Sequence, residues 1–236
     1  MYAAASGMAA QQQNLDVVAD NLANADVAGF KSAQATFAAI GGNAQLGTAA
    51  TGIREIFAQG KLMKSGGPFD VAIDGAGFFG VSRDGETAYT RAGAYTRAND
   101  GSLRNADGWT LAGVRIPKNA SDVAVAADGR VTVRVDGRAA VDAGRIRLTA
   151  FDAPEKLRPV GSAIFAATHE SGAPHGLAAG GEREPKITFG SLEKSNVSIV
   201  ESMLAILAAQ RAYEANSNGV QAADEMLRIA NNIHRS

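Results

Sequence analysis

Apolar and small residues recur at a seven-residue beat at both ends of the chain, and the beat stops in between. Near the N-terminus Met1, Met8, Leu15 and Leu22 fall on it, with Ala5, Gln12 and Ala19 at intermediate positions. Near the C-terminus Ile199, Ile206, Tyr213, Val220 and Leu227 do so, flanked by Ala209, Ala223 and Ala230. Residues seven apart line up on one face of an α-helix, so each end predicts a helical seam, one within residues 1–30 and one within 191–236. At 1.5 Å per residue these helices would be roughly 40 and 60 Å long, well beyond the usual globular helix.

Between the seams the period changes. Residues 65–190 hold six Asp-Gly pairs, at 74–75, 84–85, 100–101, 107–108, 128–129 and 136–137. Aspartate and glycine tolerate positive φ, which makes the dipeptide a favoured tight turn. Short alternating runs surround these turns: Val131 to Val135, Ile146 to Phe151, and the denser Gly77 to Val81. They predict an antiparallel all-β central domain. Residues 31–64 are a weaker mixture, in which "GGNAQLGTAATG" reads as linker before a strand or hairpin at "IREIFAQGKL". The expected fold is α+β, an antiparallel β-domain with long N- and C-terminal α-helices forming a coiled-coil domain. Two such seams are too long to be covered by a small β-domain, so they are expected to pair with each other and with neighbouring molecules. The competing arrangement folds both helices back over one face of the β-domain.

Composition narrows the function classes. A chain of 236 residues with a formal net charge of −1 can bury a sizeable core but has no basic footprint for nucleic acid. There is no cysteine, which removes disulfides, thiolate catalysis and cysteine-ligated metals. The N-terminal "MYAAASGMAAQQQ" lacks the basic and apolar regions of a secretory signal, and no run approaches the roughly 18 apolar residues of a membrane span. No insertion into a membrane is expected.

Candidate chemistry is sparse. The histidines, His169, His175 and His234, form no metal-binding pair and read as surface residues. Gly75, Gly77 and Gly80 match the spacing of a dinucleotide fingerprint. That motif must open a helix, however, and here a strand and an Asp-Gly turn follow. "NDGSLRNADGW" lacks the alternating ligands and closing glutamate of a calcium loop. Neither a Gly-x-Ser-x-Gly elbow nor a Walker lysine motif occurs, and carboxylates are scattered. Trp109 reads as a core residue at a strand start. No catalytic residue, cofactor or metal is expected.

The stretch "NLANADVAGFK", residues 21–31, is where the first seam runs out. Asn21 and Asn24 favour local side-chain bonds and turns, Gly29 permits positive φ, and Phe30 offers an apolar anchor for the exit. This is a joint rather than a site.

Taken together, "SGMAAQQQNLDVVADNLANADVAGFK" and "SLEKSNVSIVESMLAILAAQRAYEANSNGVQAADEML" resemble the bacterial flagellar rod and hook protein family. The resemblance extends inward through "REIFAQGKL", "FDVAIDGAGFFGV", "YTRAGAYT" and "SLRNADGWTLAG" and covers nearly the whole chain. Within the family, "IREIFAQG", "ATHESGAP" and "AQRAYEANSNGVQAADEML" are most similar to distal-rod members, with the minor rod protein next. One departure is "AAIGGNAQLGTAATG", which is shorter than the corresponding distal-rod segment; family variation there affects how neighbouring subunits lock together. The resemblance implies a structural subunit of a rigid helical tube crossing the periplasm, exported by the flagellar type III apparatus without a cleaved signal peptide. Its implied partners are further copies of itself, other rod subunits, the hook protein and the rings around the rod. Met8, Leu15, Leu22, Ile199, Ile206, Tyr213, Val220 and Leu227 would then form the assembly seam. A scaffold or adhesin built from a coiled-coil-tethered β-domain is the reading of a different class.

Overall fold

A computed structural model describes residues 2–42, 45–135, 139–182 and 184–233. Met1, the Asp136–Gly137 turn and His234, singled out above, lie outside the described residues. The chain forms mostly antiparallel sheet with one helix at each end, and it divides into two compact units. Unit 1 comprises residues 1–23, 32–56 and 197–236, and unit 2 comprises residues 24–31 and 57–196.

Unit 1 contains helix α1 (Tyr2–Ala23), the strands β1 (Ala33–Gly42) and β2 (Gln45–Glu55), and helix α2 (Ile199–Ile233). The Gly/Asn/Ala/Thr-rich piece does not remain a linker: β1 and β2 pair antiparallel from Ala33 with Glu55 to Gly42 with Gln45, with a bulge at Thr36/Phe37. A backbone ladder needs no large side chains, which is why an apolar-periodicity reading passed over it. Both strands and α2 pack against α1. Helix α2 starts on an N-cap: the Ser198 hydroxyl accepts from the Glu201 amide at 3.3 Å, three residues on.

The two helices bury small residues. Among the described side chains, Ala10, Val17 and Asn21 are the buried positions of α1, and Ser202 and Ala209 those of α2. At Gly7 the helices come so close that an added Cβ would lie 3.0 Å from the Asn216 amide nitrogen. The large residues of the seven-residue beat lie off this stripe, beside it on α2 and towards the other side of the helix on α1. Met8, Leu15, Leu22, Ile206 and Val220 are half-buried, while Ile199, Tyr213 and Leu227 are exposed.

Glu55, at the end of β2, adds a pH-dependent element. Burial, and then the negative charge of Asp20, push its carboxyl up to about 7 from an ordinary 4.5. The fold therefore favours the protonated form. This contribution is fully present below the ordinary value and is lost as pH rises through about 7. Glu55→Gln, always neutral, is expected to raise the helical melting temperature at pH 8 and to leave it unchanged near pH 4. A difference independent of pH, measured by far-ultraviolet circular dichroism, would contradict this assignment.

Unit 2 is built from short strands in chain order. These are β3 (Leu62–Lys64), β4 (Val71–Asp74), β5 (Phe78–Arg83), β6 (Glu86–Thr90), β7 (Thr96–Arg97), β8 (Ser102–Arg104), β9 (Thr110–Arg115), β10 (Ala120–Val125) and β11 (Arg130–Val135). There follow β12 (Ala140–Arg145), β13 (Leu148–Ala150), β14 (Arg158–Gly161), β15 (Ile164–Ala166), β16 (His175–Leu177), β17 (Lys186–Phe189) and β18 (Ser191–Glu193). The main sheet runs β10-β11-β12-β9-β5-β6-β15-β14, with β13 also on β5. Among the described residues four hairpins carry an Asp-Gly pair in their connection, as expected from the dipeptide: Asp100-Gly101 between β7 and β8, Asp107-Gly108 between β8 and β9, Asp128-Gly129 between β10 and β11, and most clearly Asp84-Gly85 between β5 and β6, with φ of 52° and 87°.

Alternation along β5 divides unit 2 into two apolar clusters. Phe79 and Val81 face the main core with Ile73, Leu111, Ile116, Val131, Leu148 and Ile164. Phe78 faces the other way, into an aromatic cluster with Tyr89, Phe151, Leu157 and Phe165. Gly75, Gly77 and Gly80 lead into or lie on β5, so a strand follows them and not a helix. Trp109 is buried immediately before β9, with the Arg83 guanidinium 4.6 Å from its ring centroid. His169 and His175 are exposed.

Candidate functional site

The joint residues lie in both units. In unit 1 the Asn21 side-chain amide, near the end of α1, is buried and mimics a strand neighbour. Its nitrogen donates to the Ala33 carbonyl at 2.7 Å and its oxygen accepts from the Ala33 amide at 2.8 Å, which satisfies the first residue of β1. Asn21→Ala would leave both backbone groups without that partner, and a loss of about 1–3 kcal/mol is expected. Hydrogen exchange at Ala33 is the sensitive readout, and unchanged protection would show that the amide is dispensable.

The remaining joint residues belong to unit 2. Asn24 opens a turn, its carbonyl accepting from the Val27 amide at 3.1 Å. Its side-chain oxygen accepts from the Ser162 hydroxyl at 3.3 Å. Gly29 has φ of 72°, and a Cβ there would lie 2.2 Å from the Ala92 backbone nitrogen, so no other residue fits without moving that segment. Phe30 is half-buried. The fully buried side chain at the exit is that of the next residue, Lys31.

Lys31 is part of a charged cluster that sequence reading missed. Its ammonium donates to Glu193 Oε1 at 2.6 Å and to the Ala58 carbonyl at 2.8 Å. The same Oε1 accepts from the Gly60 amide at 2.8 Å. Glu193 Oε2 accepts from Arg91 Nη1 at 3.3 Å, and Arg91 Nη2 donates to the Gly75 carbonyl at 2.8 Å. The Glu193 carbonyl also accepts from the Gly29 amide at 2.7 Å. Side chains of Lys31 and Glu193 are fully buried, and that of Arg91 nearly so. Burial presses Lys31 and Arg91 below their ordinary ranges, and Glu193 pulls each part of the way back.

One carboxylate therefore sits between two cations, away from water, and binds segments that are distant in sequence. Residue 31 belongs to the joint, residues 58 and 60 to the chain leading into β3, and residue 193 ends β18, which pairs with β3. Two further bonds tie the same place together: Asn196 donates to the Ala58 carbonyl at 3.1 Å, and the Lys194 amide donates to the Lys61 carbonyl at 2.9 Å. The cluster is closed to solvent, and its three charges are used on one another. Its chemistry is positional: it fixes the joint against the returning strand. Among the described residues no group of three His, Cys, Asp or Glu side chains gathers as a metal site would require.

Comparison with known proteins points the same way. Residues 1–31 match the family model described as flagella basal body rod protein, and residues 190–233 match the C-terminal model of flagellar basal body rod FlgEFG proteins. Residues 72–133 match the D1 domain model of flagellar hook proteins FlgE/F/G. The flagellar basal-body rod protein FlgG of Agrobacterium fabrum is 36% identical over 96% of this chain and 95% of its own length. The FlgG of Borreliella burgdorferi is 34% identical over 100% of this chain and 98% of its own. The rod protein FlgF of Caulobacter vibrioides is 30% identical over 98% of this chain and 95% of its own. These relatives are rod proteins by name, not enzymes. With matches at both termini and in the β-domain, and full-length relatives of this similarity, the chain belongs to the flagellar basal-body rod protein family.

Proposed function

We propose that this chain is a structural subunit of the distal rod of the bacterial flagellar basal body. It polymerises into a rigid helical tube that transmits torque from motor to hook and encloses the export channel. The observation that carries this reading is the outer face of α2. Val200, Met203, Leu204 and Leu207 follow the spacing of a single helical stripe and are 68%, 53%, 61% and 54% exposed. A helix of 35 residues with an uncovered apolar stripe is an incomplete structure, and neighbouring subunits supply the missing surface. The identities to FlgG relatives support the distal-rod assignment over the minor rod protein.

Burying that stripe only on assembly couples helix formation to polymerisation. A single subunit holds its terminal segments loosely, which suits passage through the flagellar type III apparatus without a cleaved signal peptide. In the tube, helices pair as coiled coils and share one packed core. Met8, Leu15, Leu22, Ile206 and Val220 contribute within and between subunits, and the exposed Ile199, Tyr213 and Leu227 contribute to neighbours. The partners are further copies, other rod subunits, the hook protein and the surrounding rings; nucleic acid and membrane insertion play no part, and the subunit catalyses nothing. Electron microscopy of basal bodies from a strain lacking this protein is expected to show loss of the distal rod and hook. An intact basal body would overturn the assignment.

A further inference from the structure

Gly80 lies inside β5, where a glycine weakens a strand because it adds chain entropy and packs nothing. Its φ is not positive, and a Cβ built on it meets no atom within 4 Å. Nothing within the subunit therefore requires a glycine there. The space above it is a basin of about 650 Å³ on the same face of the sheet as Phe78, lined by Gly80, Thr87, Tyr89, Ala112, Arg145 and Arg147.

The basin holds unused hydrogen-bonding capacity. Tyr89, the cross-strand partner of Gly80, is only 7% exposed and packs edge-on against Phe151 at 4.8 Å. Its hydroxyl has no hydrogen-bond partner among the described residues, and burial pushes its phenol up, which keeps it a proton donor. Arg145 is paired with Asp128 at 3.1 Å, whereas Arg147 is exposed and has no ion pair among the described residues. A small-residue floor with one unpaired phenol hydroxyl and one free guanidinium fits a narrow peptide turn bearing a carboxylate.

We propose that this basin receives an acidic turn of a second copy of this chain, the Asp84–Gly85–Glu86 tip between β5 and β6. That tip is a two-residue turn with positive φ at Asp84 and Gly85, and its exposed carboxylates have no hydrogen-bond or ion-pair partner among the described residues. Arg147 and the Tyr89 hydroxyl receive the carboxylates, and the bare Cα of Gly80 lets the turn settle onto the sheet. The proposal rests on the polymer reading above, because it takes a neighbouring copy as the occupant.

The test places a photoreactive benzoylphenylalanine at Ala112 of the full-length protein in flagellated cells, with the same probe at Leu204 as a control for assembly. The expected product from basal bodies is a homodimer adduct whose partner peptide contains Asp84–Glu86. Arg147→Glu should reduce hook-bearing basal bodies, and Asp84→Lys with Glu86→Lys should restore them. Gly80→Val should keep or raise the monomer melting temperature and still reduce assembly, which a merely structural glycine would not do. If Leu204 cross-links copies while Ala112 gives no adduct, another protein or another segment, the basin is not this interface. If the chain is absent from basal bodies, the rod reading fails and the occupant fails with it.

Discussion

Glu193→Ala is expected to destabilise the β-domain by about 3–5 kcal/mol, because it leaves two cations buried without their shared anion. The two carboxylate oxygens hold Lys31 at 2.6 Å, Arg91 at 3.3 Å and the Gly60 amide at 2.8 Å, and truncation removes an acceptor from all three donors at once. Water cannot readily replace the carboxylate, since these groups are essentially inaccessible. Lys31→Met should cost less, because the remaining Glu193–Arg91 pair stays balanced. Arg104→Ala, which breaks an exposed pair with Asp100, should change stability by no more than about 1 kcal/mol. Urea unfolding followed by the fluorescence of Trp109, the single and buried tryptophan, ranks the three variants. Equal losses for Glu193→Ala and Arg104→Ala would show that burial does not set the strength of the cluster.

This cluster also marks where sequence reading stopped. Local signals carried well: Asp84-Gly85 formed the expected hairpin turn, Val131 to Val135 lies within a strand, and the first helix ends at Ala23, one residue past the last apolar beat. Each of these depends on a few adjacent residues whose backbone preferences are strong. Lys31, Arg91 and Glu193 are separated by up to 162 positions, and nothing local distinguishes them from solvated surface charges. A possible clue was Gly29 directly before Phe30 and Lys31, since a strict turn next to a cation suggests a constrained path. On the helices, the seven-residue beat located the elements and picked out large residues that lie off the buried stripe. The buried centre belongs to Ala10, Ala209 and Ser202, because close helix approach favours small side chains that a hydrophobicity pattern weights little.

Leu204→Glu is expected to abolish assembly while leaving the β-domain unchanged. The side chain is 61% exposed, and glutamate is nearly as good a helix former as leucine, so the isolated subunit should change by no more than about 0.5 kcal/mol. In the tube the balance differs. Covering a leucine contributes about 2 kcal/mol per subunit, and forcing a carboxylate into the same apolar contact costs several more. The penalty recurs at every subunit, which multiplies a local change into failure of the polymer. Ile206→Asp and Leu15→Asp should also block assembly, but both positions are half-buried within unit 1 and would weaken the subunit as well. Leu204 therefore separates the two effects. Swimming on soft agar and electron microscopy of basal bodies report assembly, and Trp109 fluorescence reports the β-domain. Normal swimming by Leu204→Glu would mean that this stripe stays open to solvent in the rod, and the reading of α2 as an assembly face would have to be given up.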